Sequence, residues 1–200
     1  GLVGSEMCIR DRHVMVNGSN QLVDLMGSRT WTKTGSPTFN ASASLGFTRT
    51  ISAPSVGGFS DANYFINTSF LFPPTSSCII TLVIKDGNSG FMAALASYWR
   101  LGGVTWNFNG VPYASTAPAN YAVPWVISFG YTGTTYYLKT NKSAVISGAG
   151  SGIAVGSSSM YIGRWNTAGF ASNVTLYEMR MLTTTCSAAI LDSLHTSIMG

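Results

Sequence analysis

From His13 onward, short apolar runs alternate with Gly, Ser, Asn and Pro. That punctuation predicts strands and turns rather than long helices. In SCIITLVIKDG (77–87), Cys78, Ile80, Leu82 and Ile84 fall on one face and Ile79, Thr81 and Val83 on the other. Its apolar core has the length of a buried strand, and Asp86-Gly87 predicts a turn. NYFINTSFLF (63–72) predicts one or two strands stopped by Pro73-Pro74. VTWNFNGVPYAS (104–115) alternates around Asn109-Gly110, with Trp106 and Phe108 on one face and Asn107 and Asn109 on the other. Segment 124–148 predicts successive strands with tight turns at Thr132-Gly133 and Asn141-Lys142, and 158–165 and 173–182 complete the set. FMAALASYWRLGG (91–103) has helical propensity, but its flanking glycines and its place among strands predict strands.

One helix is predicted, at the end: Ser187 as N-cap, then AAILDSLHTSI with Ile190, Leu191 and Leu194 on one side. No linker-like shift in composition and no 20–50-residue repeat interrupts the pattern, so 13–200 is expected to be one domain. So many short strands predict an all-β architecture of two packed antiparallel sheets.

Composition narrows the setting. Charged residues make up 9 % of the chain, against roughly 25 % in an average soluble domain. With abundant Ser, Thr, Asn and Gly, that points to an extracellular, cell-surface or virion protein rather than a cytosolic enzyme. The net charge is +4, but the basic residues are scattered, without the stripe that a nucleic acid would need. No apolar stretch approaches the roughly 20 residues of a membrane span, so neither nucleic acid nor membrane insertion is expected.

GLVGSEMCIRDR (1–12) fits nothing that follows it. It lacks the ordered regions of a signal peptide, and Leu2, Val3, Met7 and Ile9 do not hold one helical face. Back-translated, every residue from Leu2 to Asp11 agrees with one frame of the transposase-adapter sequence used to build sequencing libraries, and Gly1 and Arg12 are compatible at its edges. Residues 1–12 are therefore read as a non-native adapter-derived scar on a metagenomic gene fragment, the domain beginning near His13. Without it the charge stays +4 and two cysteines remain, Cys78 and Cys186.

Three segments in order resemble the concanavalin A-like, laminin-G-like jelly-roll family of the lectin/glucanase superfamily. CIITLVIKDG is similar to that family's inner strand. PWVISFGYTGTTYYLKTNKSAV resembles its tryptophan-led hairpin, with Trp125 as the tryptophan and Asn141-Lys142 in place of Asn-Gly. MYIGRW followed by TLYEMRMLTTTCSAAIL resembles the closing block, with Gly163, Arg164, Glu178, Arg180 and Ser187 in register. The resemblance implies a jelly-roll sandwich with a short C-terminal helix, and Trp125 in its core. It also implies antiparallel pairing that brings Cys78 near Cys186, leaving open a disulfide or two buried thiols.

Fold does not fix function, so activity rests on the individual residues. The family's glucanases carry acid and nucleophile on one strand, about 5 Å apart. Here the acids outside the scar are Asp24, Asp61, Asp86, Glu178 and Asp192, none within five residues of another. No nucleophile constellation stands out, so the chain is not expected to be an enzyme and needs no organic cofactor. The resemblance also implies a Ca²⁺ ion at the rim, held by carboxylate oxygens, and Asp24 and Asp61 are the candidates expected in loops. Aromatic faces stack on sugars while Asn and Arg bond the hydroxyls. Trp99, Arg100, Trp106 and Tyr113, in mid-domain strands, are therefore the expected ligand patch, with Arg164 and Trp165 at the sheet's rim. The expected function is a non-catalytic carbohydrate-binding or adhesion module of a surface or phage-particle protein, its partner a glycan or cell-surface polysaccharide. The alternative is a structural jelly-roll module contacting other protein subunits in a virion, tail or surface assembly.

Overall fold

The computed structural model describes residues 12–24, 31–45, 52–71, 77–86, 93–95, 99–102, 104–108, 111–150, 157–164 and 173–200. In chain order the strands are β1 (Arg12–Val16), β2 (Leu22–Asp24), β3 (Thr32–Thr34), β4 (Thr38–Ser44), β5 (Ser52–Gly57), β6 (Tyr64–Leu71), β7 (Cys78–Lys85), β8 (Ala93–Leu95), β9 (Trp99–Gly102), β10 (Thr105–Phe108), β11 (Val111–Ala114), β12 (Trp125–Tyr131), β13 (Thr135–Thr140), β14 (Ile146–Ala149), β15 (Ser157–Ile162) and β16 (Thr175–Leu182), followed by α1 (Ala188–Met199). They form two antiparallel sheets. The larger runs β14-β13-β12-β7-β16-β1-β2, with β5 joining β16 and β4 joining β5. The smaller runs β11-β10-β9-β8-β15-β6-β3. The predicted two-sheet sandwich with a C-terminal helix is the observed fold, and segment 91–103 supplies strands β8 and β9 rather than a helix.

The main core lies between the sheets. Cys78, Ile80, Leu82 and Ile84 of β7 contribute to it, as does Trp125, which is fully buried. The Trp125 indole Nε1 donates to the Asp86 carbonyl at 3.0 Å, tying the start of β12 to the end of β7. The other face of β7 is covered as well. Ile79 packs with Cys186 and Leu191, and Val83 with Val126 and Ile198. Leu191, His195 and Ile198, at helical spacing, are the buried side of α1. The Ser187 hydroxyl accepts from the Ile190 N–H at 3.2 Å and caps the helix as expected.

Turn chemistry follows the sequence. Asn141 and Gly133 take left-handed backbone at φ 47° and 99°, where the hairpins around β13 reverse. Phe108 pairs Val111 across Asn109-Gly110, which lie outside the described residues. Residues 1–11 also lie outside them, while β1 opens at Arg12, paired to Met181.

Gly130 of β12 lets the helix approach: a Cβ there would strike Cys186 Sγ and Leu191 Cδ1. Gly130→Ala is expected to lower unfolding stability by about 1–3 kcal/mol through overpacking. A Cβ at Gly18 meets nothing within 4 Å, so Gly18→Ala should stay within about 0.5 kcal/mol of wild type. Urea unfolding of both variants checks the contrast.

Candidate functional site

Cross-strand register separates the residues expected to form one patch. Leu101 pairs Trp106, which pairs Tyr113, and all three are buried on the inward face. Trp106 has no solvent exposure, its ring 5.6 Å from that of Phe129 across the sandwich. Tyr113 packs on Phe129 and, at 4.6 Å, on Tyr136. Neither ring offers a face to a sugar. Trp99 pairs Leu95, which pairs buried Met160, so its strand position also belongs to the inward side. Arg100 occupies the opposite side, because successive strand residues alternate. For Trp106 and Tyr113 the expected ligand patch is thus corrected, because both rings fill the space between the layers; the side chains of Trp99 and Arg100 lie outside what is described.

The outward face of the smaller sheet is different. Register there runs Ile66–Tyr161–Ala94–Arg100–Asn107 across β6, β15, β8, β9 and β10. Tyr64, two residues before Ile66, meets Tyr161 at 5.9 Å, and both rings are partly exposed. Arg164 lies over them, its Cζ 4.5 Å from the Tyr64 centroid and 5.7 Å from that of Tyr161. Gly163 makes this approach: at φ 93° it turns the chain at the end of β15, where a Cβ would collide with Phe59. One Arg164 Nη1–H donates to the Asp61 carbonyl at 2.7 Å. The turn that presents this carbonyl is held by Ser60 and Asn63, whose N–H and C=O groups bond each other at 2.9 and 3.1 Å. Asn63 Oδ1 also accepts from the Ser36 N–H at 2.8 Å. Arg164 lies just past the end of β15; Trp165 lies outside the described residues. Tyr64 and Tyr161 were not singled out from the sequence. A signal was present, since Tyr161 stands between Met160 and Ile162, both inward-facing.

The carboxylates are dispersed. Asp24 is buried in β2 of the larger sheet, while exposed Asp61 belongs to the turn entering β6 of the smaller one. Among the described residues, no three His, Cys, Asp or Glu side chains group as metal ligands. Glu178 pairs with Arg180 and Asp192 with Lys139.

Cys78 and Cys186 are free thiols. β7 and β16 do pair antiparallel, as the family resemblance implied, but the two side chains face apart. Cys78 joins the core between the sheets and Cys186 packs beneath α1. Burial, with Cys186 nearby adding to it, pushes the Cys78 thiol well above its usual range. Burial likewise pushes Cys186 up to about 12.

With this geometry in hand, comparisons place the fold. No family model matches the chain, and no curated protein matches it in sequence. Solved structures do. Domain 4 of AbnA, an extracellular arabinanase from Geobacillus stearothermophilus, solved in complex with arabinotriose, superposes with a TM-score of 0.62 at 14 % identity. That match covers 92 % of this chain and 97 % of the domain. The receptor-binding domain of botulinum neurotoxin type G gives 0.65 at 10 % identity, covering 94 % of this chain and 51 % of that one. The binding domain of botulinum neurotoxin DC, in complex with rat synaptotagmin II, gives 0.64 at 12 %, covering 94 % and 52 %. The chain spans about half the length of these toxin domains. At such identities the likeness shows a shared β-sandwich fold.

Two measurements check the placement of the buried residues. Trp106→Ala should lower stability by about 3–5 kcal/mol, the cost of an aromatic core cavity, read by denaturant unfolding. In the native state Cys78 and Cys186 should resist alkylation. Unfolded without reductant, both should take label in mass spectrometry; a protected pair would mean a bridge.

Proposed function

We propose that the chain is a non-catalytic recognition module that binds glycans on the outward face of its smaller sheet. The observation that carries this is the cluster of Tyr64, Tyr161 and Arg164: two half-exposed rings beside a fixed guanidinium. Such a surface offers an apolar platform for the C–H side of a sugar with directional donors next to it. Asn107, partly exposed on β10, lies on the same register row as Tyr161 and adds a polar group to that side of the sheet. Near full-length likeness to a domain solved with arabinotriose supports the same assignment. The unit concerned is the single domain 13–200, residues 1–12 being adapter-derived, and the resemblance to concanavalin A-like and laminin-G-like modules belongs to this proposal. The setting is extracellular, on a cell or particle surface.

A second role, as a protein-contact module, is favoured by a separate observation. Val111, Val123 and Ile146 are exposed apolar side chains, two of them on the edge strands β11 and β14. One structural neighbour was itself solved in complex with a protein, synaptotagmin II.

Glycan-array binding separates the two. A glycan bound by the wild type should bind at least about tenfold more weakly to Tyr161→Ala, roughly 1.4 kcal/mol, with the melting temperature held. Binding that survives Tyr64→Ala with Tyr161→Ala sinks the site. No glycan binding at all sinks the function and leaves the protein-contact role.

A further inference from the structure

The larger sheet carries a polar line on the face where α1 docks. Register runs Lys139–Ser128–Thr81–Arg180 across β13, β12, β7 and β16, with His13 the next position on β1. His195 of α1 meets this line and has no solvent exposure. Its Nε2 lies 2.8 Å from the Asn141 carbonyl oxygen, which can only accept, so Nε2 carries the proton. Nδ1 is then the acceptor and takes the Ser128 hydroxyl proton at 2.8 Å. Ser128 in turn accepts from the Thr81 hydroxyl, also at 2.8 Å. The neutral imidazole is satisfied at both nitrogens.

A second proton would go to Nδ1. Ser128 and Thr81 can reverse their hydroxyls to accept it, but the added charge stays buried. Facing His195 from β13 is Lys139, which opposes that charge. Asp192, one turn earlier on α1, favours it but is already engaged by Lys139. Arg180 on β16 is paired with Glu178, while β7 and β12 offer the hydroxyls of Thr81 and Ser128. Tyr137, Cys186 and Tyr177 pack on the same side of the sheet. Burial first, then Lys139, holds the imidazole down at about 4 against its ordinary 6.5. A released helix would bind a proton near pH 6.5 and the docked one only near 4. Docking is therefore fully favoured above about pH 6.5 and weakens as pH falls toward 4, by on the order of 10²-fold.

The helix is separable from the main core. That core is drawn from the sheets and their connections, whereas Leu191 and Ile198 pack in small clusters on the opposite face. We propose that His195 is an acid-operated latch: protonated, it releases α1 from the larger sheet while the two sheets stay packed, uncovering Ile79, Val83 and Val126.

Hydrogen exchange on the intact chain at pH 7 and pH 4.5 tests this, with an apolar dye as second reporter. α1 amides should lose protection by up to about 10²-fold, β7 and β12 amides should keep theirs, and dye fluorescence should rise reversibly. By NMR, the His195 ring should titrate at lower pH in Asp192→Asn and at higher pH in Lys139→Met. His195→Gln should lose the acid response. Loss of protection in α1 and β7 together, or ring titration unmoved by both charge variants, overturns the latch. Should His195→Gln fail to fold, the two charge variants decide the matter.

Discussion

Everything in this fold depends on two adjacent strands being buried on both faces. β12 is buried at every position and β7 at every position except Lys85. A sheet with one wet face could not hold them, because half of their side chains would meet water. The smaller sheet covers one side. On the other, the chain returns after β16 and lays α1 across β12 and β13, which is why a mainly β fold carries a helix on this face. Gly130 is the point where that return passes closest, and the buried hydroxyls of Thr81 and Ser128 are the polar groups it must satisfy.

Satisfying them falls to a single histidine. Two hydroxyls can bond each other, but the pair still offers a donor at one end, and His195 Nδ1 accepts it. The same ring then donates to the Asn141 carbonyl at the turn leaving β13, joining helix, hairpin and central strand through one side chain. Buried polar networks of this kind are stable when complete and costly when one member changes charge. Helix release and proton uptake at His195 are thus one event seen from two sides.

Much of this was legible from sequence, for a reason that also marks where legibility stops. Periodicity and turn residues are local, so the strands around Asn141-Lys142 and Thr132-Gly133 and the Ser187 cap could be read directly, while the core place of Trp125 followed from the family resemblance. The Thr81–Ser128–His195 relay could not, because its members stand 47 and 67 residues apart and meet only through sheet pairing. The burial of Trp106 and Tyr113 was missed for another reason. Alternation already forbids Trp99 and Arg100 from sharing a face, and the Trp106–Phe108 against Asn107–Asn109 pattern separates an apolar side from a polar one. Stacking chemistry favoured the largest rings of these strands as a ligand patch, but the pleat assigns Trp106 and Tyr113 to the interior.

That assignment changes what kind of ligand surface the smaller sheet can present. With Trp106 and Tyr113 spent on the core, the outward face shows, among the described residues, half-exposed rings and scattered polar groups. Its strongest feature is made by a turn rather than by strand composition. Gly163 reverses the backbone so that Arg164 folds over Tyr64 and Tyr161, and the Asp61 carbonyl holds it there. The guanidinium's position is therefore set by backbone on both sides, before any partner arrives. Less side-chain freedom remains to be lost on binding, and that pre-organisation can make a small, polar surface selective without a deep pocket.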